Sequence, residues 1–500
     1  MVVGGALAAR IDELQGEGDY STALRIIGEN VLLSYFSLQP EALQQVLEAA
    51  IAAGADDEGT ARSLLFLFPT RGGGRQGFQP PHSSAFPDRL SNLSVMARIT
   101  EHRLRGHSHR TRALLDELDA NLAGSPTLFS HNSGWGIMLP LQAGITAMLS
   151  GDFKRALRYF TVAQAQPAIA ALSFLTRDAY VKSAIVHALF GCTEDARAAL
   201  AHAARIERRE SWVEPLIDTN VALVEAVLEV DDPTTALEKL DAIPLQYLGE
   251  MLPFYVIAVH RILARAGRYR DLMKRAIVLE QLPFPRVDGE GLTGSIFPLI
   301  RVAVNLARGD TDAAAIHLHD ADPDYVGTRH ALGQLELAAK RPHSAIKETN
   351  SLASAEWNGL RQIELWRYAI LSSAFLQLGR TDDLDTALRA ALADGLTLTD
   401  TSVFSRAALD YAARSIECWP VGEHDLAGEV SHTPAASAGL TSRELEILIL
   451  LRDAGSTQHI ATRLFLSVNT VKSHIKSIYR KLGVTSRASA VLRAEAEGLL

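Results

Sequence analysis

The chain has 500 residues, 47% of them hydrophobic and 21% charged, and a net charge of −9. It is too long for one compact core and too apolar for a disordered or collagen-like chain, so several domains, or a repeat array with an appendage, are expected. Aromatic residues are only 6% while Ala and Leu abound, a mix that favours helices over sheets. The two cysteines, Cys192 and Cys418, exclude a disulfide framework and a four-cysteine zinc site and fit a reducing cytoplasm. No apolar run reaches the ~18 residues of a membrane helix, and the N-terminal stretch MVVGGALAARIDELQGEGD lacks the apolar core of a signal peptide. The expected location is the cytoplasm.

From the N-terminus onward one short pattern recurs: an Ala/Leu-rich helical segment, a turn with Gly or Asp, then Ala-Leu opening another helix. It occurs at Gly18, Gly54, Gly106, Gly151, Gly191, Asp231, Gly267, Gly309, Arg341 and Gly379. The spacing is mostly close to the ~34–40 residues of a helix–turn–helix unit, so the units nearly fill residues 5–418. Gly can take φ > 0 and close the first helix, and an Asp just after it can cap the second. The segments resemble tetratricopeptide repeats, although the Trp, Leu, Gly and Tyr positions of that repeat are mostly absent. The expected fold of 5–418 is an α-solenoid of paired helices acting as a sensing or partner-binding arm.

Three stretches break the rhythm with Gly and Pro: 69–88, 128–136 and 281–298. They are expected to be connecting loops. In the turn EHRLRGHSHRTR, His102, His107 and His109 lie among Arg103, Arg105, Arg110 and Arg112. Neighbouring cations oppose a divalent ion, and a solvated inter-helix turn is expected, with a small anion or partner patch as the other reading. The chain contains no Gly-Lys pair, hence no GxxxxGK[ST] phosphate loop, and neither HExxH nor CxxC. GGGRQG at 72–77 is Gly-rich but lacks the Lys and the Ser/Thr of such a loop. No catalytic set stands out, no cofactor or metal site is expected, and the chain is not expected to be an enzyme.

A Gly/Pro/Ala/Ser-rich segment, about 419–437, is expected to be a flexible linker. Beyond it the charge changes sign. Residues 440–500 hold nine Lys/Arg against five Asp/Glu, a net +4, which leaves −13 on the preceding 439. A basic end on an acidic body is expected where only the end meets a polyanion.

In this C-terminal segment Thr441 and Glu444 form a capping box, and Leu440 with Leu445 a hydrophobic staple, at the start of a first helix. Ser456 caps a short second helix that turns Ile460, Ala461 and Leu464 inward. Ser467 caps a third helix over about Val468–Leu482, with a buried stripe of Val471, Ile475, Ile478 and Leu482 at steps of four, three and four. Its other face shows Asn469, Thr470, Lys472, Ser473, Lys476, Ser477 and Arg480. A fourth helix is expected from about Ser486 to Glu497. A tight turn between the second and third helices makes a helix-turn-helix, whose third helix would lie in a DNA major groove. Lys472 and Lys476 could reach guanine acceptors or phosphates, Thr470 and Ser473 could donate at close range, and Arg480, Lys481 and Arg487 would meet the DNA backbone.

The strings LTSRELEIL and LFLSVNTVKSHIKSIYRKLGVTSRASAV resemble the LuxR-type (GerE-like) DNA-binding domain over nearly all of 440–497. The resemblance implies base-facing roles for Lys472, Ser473 and Lys476 and backbone-facing or supporting roles for Thr470, His474 and Lys481. It also implies a dimer contact through the last helix. His459 stands where that family usually has Glu. The layout resembles the large MalT-like regulators, which join a tetratricopeptide-like solenoid to such a domain, but without their ATPase module.

The expectation is thus an all-α chain: an α-solenoid of helix pairs, then a four-helix helix-turn-helix domain over 438–500. The expected function is sequence-specific, DNA-binding transcriptional regulation. Its partners would be double-stranded DNA, a second copy of the chain on DNA, and an unknown effector or protein on the solenoid, with no membrane partner. Control is expected through exposure, the acidic arm either masking the basic helix or arranging two arms for pairing. The alternatives are a piece of a larger MalT-like ATPase regulator, and a helical-repeat scaffold that binds proteins only.

Overall fold

The computed structural model describes residues 3–56, 60–67, 98–124, 134–229, 231–352, 359–420, 440, 442–452, 456–464 and 466–496. The loops expected at 69–88 and 128–133, the linker beyond residue 420 and the cap residue Thr441 lie outside them. The described residues are helical and contain no strand. None of their helices is long and apolar enough to cross a membrane.

The chain begins with α1 (Val3–Glu17), α2 (Tyr20–Glu29), α3 (Val31–Ser37), α4 (Pro40–Ala52) and α5 (Thr60–Leu67). Next come residues 98–104 (α6), then α7 (Ser108–Gly124), α8 (Trp135–Leu149), α9 (Phe153–Gln164), α10 (Ser173–Phe190) and α11 (Thr193–Ala204). The middle of the chain holds α12 (Glu214–Leu228), α13 (Pro233–Asp241), α14 (Leu252–Arg265) and α15 (Tyr269–Glu280). After these come α16 (Gly291–Ala307), α17 (Thr311–Leu318), α18 (Val326–Ala338), α19 (Pro342–Ser351), α20 (Arg361–Leu378), α21 (Thr381–Ala393) and α22 (Arg406–Ser415). The last four helices are α23 (Ser442–Arg452), α24 (Thr457–Arg463), α25 (Val468–Leu482) and α26 (Arg487–Ala496).

Each of the ten recurring turns falls between two consecutive helices, from α1/α2 at Gly18 to α20/α21 at Gly379. The turn chemistry is local. Asp19, Asp152 and Asp310 each accept a backbone N–H three residues on, from Thr22, Arg155 and Ala313. The α12/α13 turn at Asp231 has no glycine, and two others also depart from the glycine rule. Gly191 has a negative φ of −104°, and at the α18/α19 turn Lys340 takes the left-handed conformation, φ 60°.

The chain forms two compact units. The first comprises residues 1–228, 239–252 and 285–287. In it α10 packs against α8, α9, α11 and α12. The rings of Phe153 and Phe190 stack at 3.7 Å, and Phe160 and Phe174 are fully buried beside them in sequence. Gly144 is required where α8 crosses α9, because a Cβ there would lie 2.5 Å from the Phe160 ring. Arg177 of α10 is buried and pairs with buried Glu214 of α12, and reaches Asp218 at 2.7 Å.

The His/Arg turn is a correction. It is not simply a solvated loop: Arg103 is buried, pairs with Glu250 at 2.8 Å, and donates to the Gln142 side chain and carbonyl and to Thr146. Gly106, at φ 76°, closes the turn so near the backbone of Arg286 that a Cβ would overlap it. A guanidinium with five donors can be buried when every side of its fork meets an acceptor, and that set is assembled here from two segments distant in sequence, α8 and Glu250.

The second unit comprises residues 229–238, 253–284 and 288–500. In it α16 packs on α15, α17 and α18, and α20 on α18, α19, α21 and α22. Half of the third expected loop is helix: α16 begins at Gly291 and runs through Pro298. Proline cannot donate to the Gly294 carbonyl, and the Gly289 N–H donates to it instead, at 3.4 Å. Buried Asp322 accepts the Gly291 N–H at 2.6 Å, and its own N–H donates to Ser295. With Leu292, Ile296 and Ile300 buried on one side, these bonds outweigh the helix-breaking composition.

His260 of α14 and His330 of α18 are both held neutral by burial, which pushes them down to about 4 and about 3; His330 also stacks on Trp366 of α20 at 4.4 Å. An unfolded histidine protonates near pH ~6.5, so below that pH the unfolded chain takes up protons that the folded chain refuses. Stability is therefore expected to be full above about pH 6.5 and to fall as the pH drops toward 4. Urea midpoints at about pH 7.5 and about pH 5 measure it. His330→Phe should narrow the gap between them; an unchanged gap would exclude His330 as a source.

Candidate nucleic-acid interface

Helices α23–α26 surround one hydrophobic cluster containing Ile447, Leu448, Leu451, Ile460, Ala461, Val471, Ile478, Leu482, Ala490 and Ala494. Of the stripe expected on α25, Val471, Ile478 and Leu482 are buried and Ile475 is half-buried against the same cluster. Ser456 accepts the His459 N–H at 3.1 Å, which starts α24, and the His459 side chain is exposed. The turn into α25 is closed by the Leu466 N–H on the Ala461 carbonyl. Ser467 then caps α25 by accepting the Thr470 N–H, with the two hydroxyls 2.7 Å apart. Gly483, in the left-handed conformation, ends the helix.

At 100° per residue, Asn469, Lys472, Ser473, Lys476 and Arg480 fall within an arc of about 100°. All five are exposed. From Lys472 to Arg480 the stripe rises ~12 Å, comparable to the width of a DNA major groove. The Ser473 hydroxyl donates to the Asn469 carbonyl at 3.0 Å, which fixes its rotamer and leaves its acceptor side outward. The end of α25 nearest Ser467 presents backbone N–H groups and the positive end of the helix dipole.

Three other expected contact residues sit differently. His474 is half-buried, about 100° round α25 from the nearest stripe residue and next to the buried side. Lys481 donates to buried Glu444 of α23 at 2.6 Å. Arg487 donates from Nε to the Leu451 carbonyl at the end of α23, at 2.9 Å. Both cations thus join the α25–α26 end to α23. The sequence signal for Glu444 is its position in the first turn of the first helix, which points to a cap but not to Lys481. Arg487→Ala is expected to destabilise these helices by about 1.5–3 kcal/mol, the worth of a hydrogen bond to a charged group, while changing DNA affinity less than substitutions in the stripe. Thermal unfolding and DNA titration of the same variant check this; a lost affinity with unchanged melting would make Arg487 a DNA contact.

Residues 438–494 match the family described as GerE: Bacterial regulatory proteins, luxR family. The C-terminal domain is therefore a luxR-family helix-turn-helix domain. The chain is 33% identical over 135 residues to the probable transcriptional regulatory protein SgaR of Hyphomicrobium methylovorum, covering 27% of this chain and 53% of that protein. It is 41% identical over 76 residues to the probable transcriptional regulatory protein NarL of Mycobacterium tuberculosis, 15% of this chain and 35% of the relative. It is 26% identical over 294 residues to a putative HTH-type transcriptional regulator of Mycobacterium bovis, 55% of this chain and 30% of the relative. That last stretch is longer than the C-terminal domain, so it necessarily includes residues outside that domain. The chain spans about half or less of the length of these relatives. No solved structure gives a match.

Proposed function

We propose that the chain is a sequence-specific, DNA-binding transcriptional regulator without enzymatic activity. Residues 438–500 are the DNA-binding domain, 419–437 a linker, and the helical pairs of 5–418 a regulatory arm for an effector or a protein partner. The observation that carries the reading is the exposed stripe of Lys472, Ser473, Lys476 and Arg480 on the third helix of a luxR-family domain. Lys472, Ser473 and Lys476 meet base edges, and the α25 N-terminus with Thr470 and Arg480 meets phosphates. His474, Lys481 and Arg487 support the helix from behind, a role favoured by the bonds of Lys481 to Glu444 and of Arg487 to Leu451 and by the half-burial of His474. Two copies read paired half-sites, so that weak half-site affinities multiply. The relatives' names, all of them transcriptional regulators, agree with this reading. Selection of duplexes from a random pool by the full chain tests it. Enrichment of a motif with half-sites about one helical turn apart is expected; a selected pool indistinguishable from the input would overturn it.

A further inference from the structure

Helix α23 carries five consecutive apolar residues, Ile447 to Leu451. At 100° per residue such a run cannot face a single core. Ile447, Leu448 and Leu451 point to one side and are buried with α24–α26, whereas Ile449 lies roughly 150° round the helix from them. In a domain standing alone, Ile449 and the flanking Leu450 would be open to water. Here Leu450 is only 9% exposed and Ile449 is half-buried. The same hydrophobic cluster takes in Ala313, fully buried, and Ile316, both from α17. Within the second compact unit, α23 packs on α17 and α26 packs on α15.

The contact covers the back of the DNA-binding domain and leaves the stripe of α25 exposed, so it does not act by covering Lys472 and Lys476. What it brings close is charge. The residues of this unit that precede 440 contain 18 Lys/Arg against 27 Asp/Glu. A DNA duplex meeting the open stripe would meet the repulsion of that acidic body as well.

We infer that the α15–α17 face is a docking surface for the chain's own DNA-binding domain, and that docking lowers DNA affinity electrostatically while leaving the reading helix sterically free. Ile416 and Trp419 are anchored in the cluster of α20–α22, and the 21 residues 421–441 beyond them are enough chain, at ~3.3 Å per extended residue, to let the domain move clear of the repeat region by several Debye lengths of ~8 Å. Released, the +4 domain attracts DNA without the opposing field. This rests on the DNA-binding reading above and supplies its regulation: any ligand that favours the undocked arrangement of α15 and α17 raises DNA occupancy.

Ile316→Gln and Ile449→Gln test the contact from its two sides without changing charge, each in the full-length chain, with the double variant alongside. Hydrogen exchange of α17 reads docking; anisotropy with a mixed-sequence duplex of about 25 base pairs reads affinity. Far-UV helicity equal to wild type identifies a folded variant, and the substitution on the opposite side stands in for one that is not. Faster exchange in α17 is expected, with DNA binding tightened about 3–10-fold near 50 mM salt and the gain fading toward about 300 mM. The double variant should match the singles within about twofold, because all three sever one contact. Faster exchange with unchanged or weaker affinity would overturn the inhibitory role, and unchanged exchange would overturn the docking surface. Absence of DNA binding in every form, wild type included, would instead sink the DNA-binding reading, with exchange still reporting whether the surfaces dock.

Discussion

Lys472→Ala combined with Lys476→Ala is expected to weaken DNA binding by roughly 100-fold near 0.1 M salt, at about 1–3 kcal/mol for each lost contact. Both side chains are exposed on one stripe and neither is used by the hydrophobic cluster beneath, so the fold should be unaffected. The salt dependence divides the possible roles. If both lysines neutralise phosphates, the slope of log affinity against log salt should fall by about 2 and the loss should be the same for every duplex. If they read base edges, the slope should hold and discrimination between the selected motif and a scrambled duplex should shrink. Anisotropy titrations of both duplexes from about 50 to about 300 mM salt give both quantities. Wild-type affinity in the double variant would remove α25 from the DNA interface.

The largest expected effect on stability lies in the first compact unit. Arg177→Leu should destabilise the first compact unit by about 3–5 kcal/mol, because it strands the carboxylate of Glu214 in a buried position. Arg208 reaches Asp218 and lies 3.6 Å from Glu214, but it is largely exposed and compensates little. Adding Glu214→Leu should recover most of the loss, since an apolar pair can fill the space between α10 and α12 without a desolvated charge. Denaturant unfolding of the two variants and wild type measures the cycle. A single variant within about 1 kcal/mol of wild type would mean that solvent reaches the carboxylate.

Where the sequence was read correctly, the reasons were local. The bounds of α25, Val468–Leu482, coincide with the expected third helix because a serine cap, a four-three-four apolar stripe and a left-handed glycine all lie within seventeen residues. The ten helix junctions were legible for the same reason: each carries a local turn residue, and at Asp19, Asp152 and Asp310 a side chain also caps the helix that follows. The error at 281–298 shows the opposite case. In its helical half Gly291, Gly294 and Pro298 argue for a loop by propensity, but α16 draws its stability from Asp322, some thirty residues away, and from the side chains it buries. Arg103 was misjudged similarly, as its principal partner, Glu250, is 147 residues distant.

The amino-acid sequence by itself determined that this chain is helical, where the recurring turns part its helices, where α25 begins and ends, and which face of α25 is basic. Periodicity, caps and turn chemistry act over three or four residues, and a string of letters displays them directly. Tertiary structure alone decided which cations are committed inward, Lys481 to Glu444 and Arg487 to Leu451, and what covers the spare apolar side of α23. Those outcomes depend on pairs brought together from 36 to more than 130 residues apart, where burial rather than spacing selects the partner.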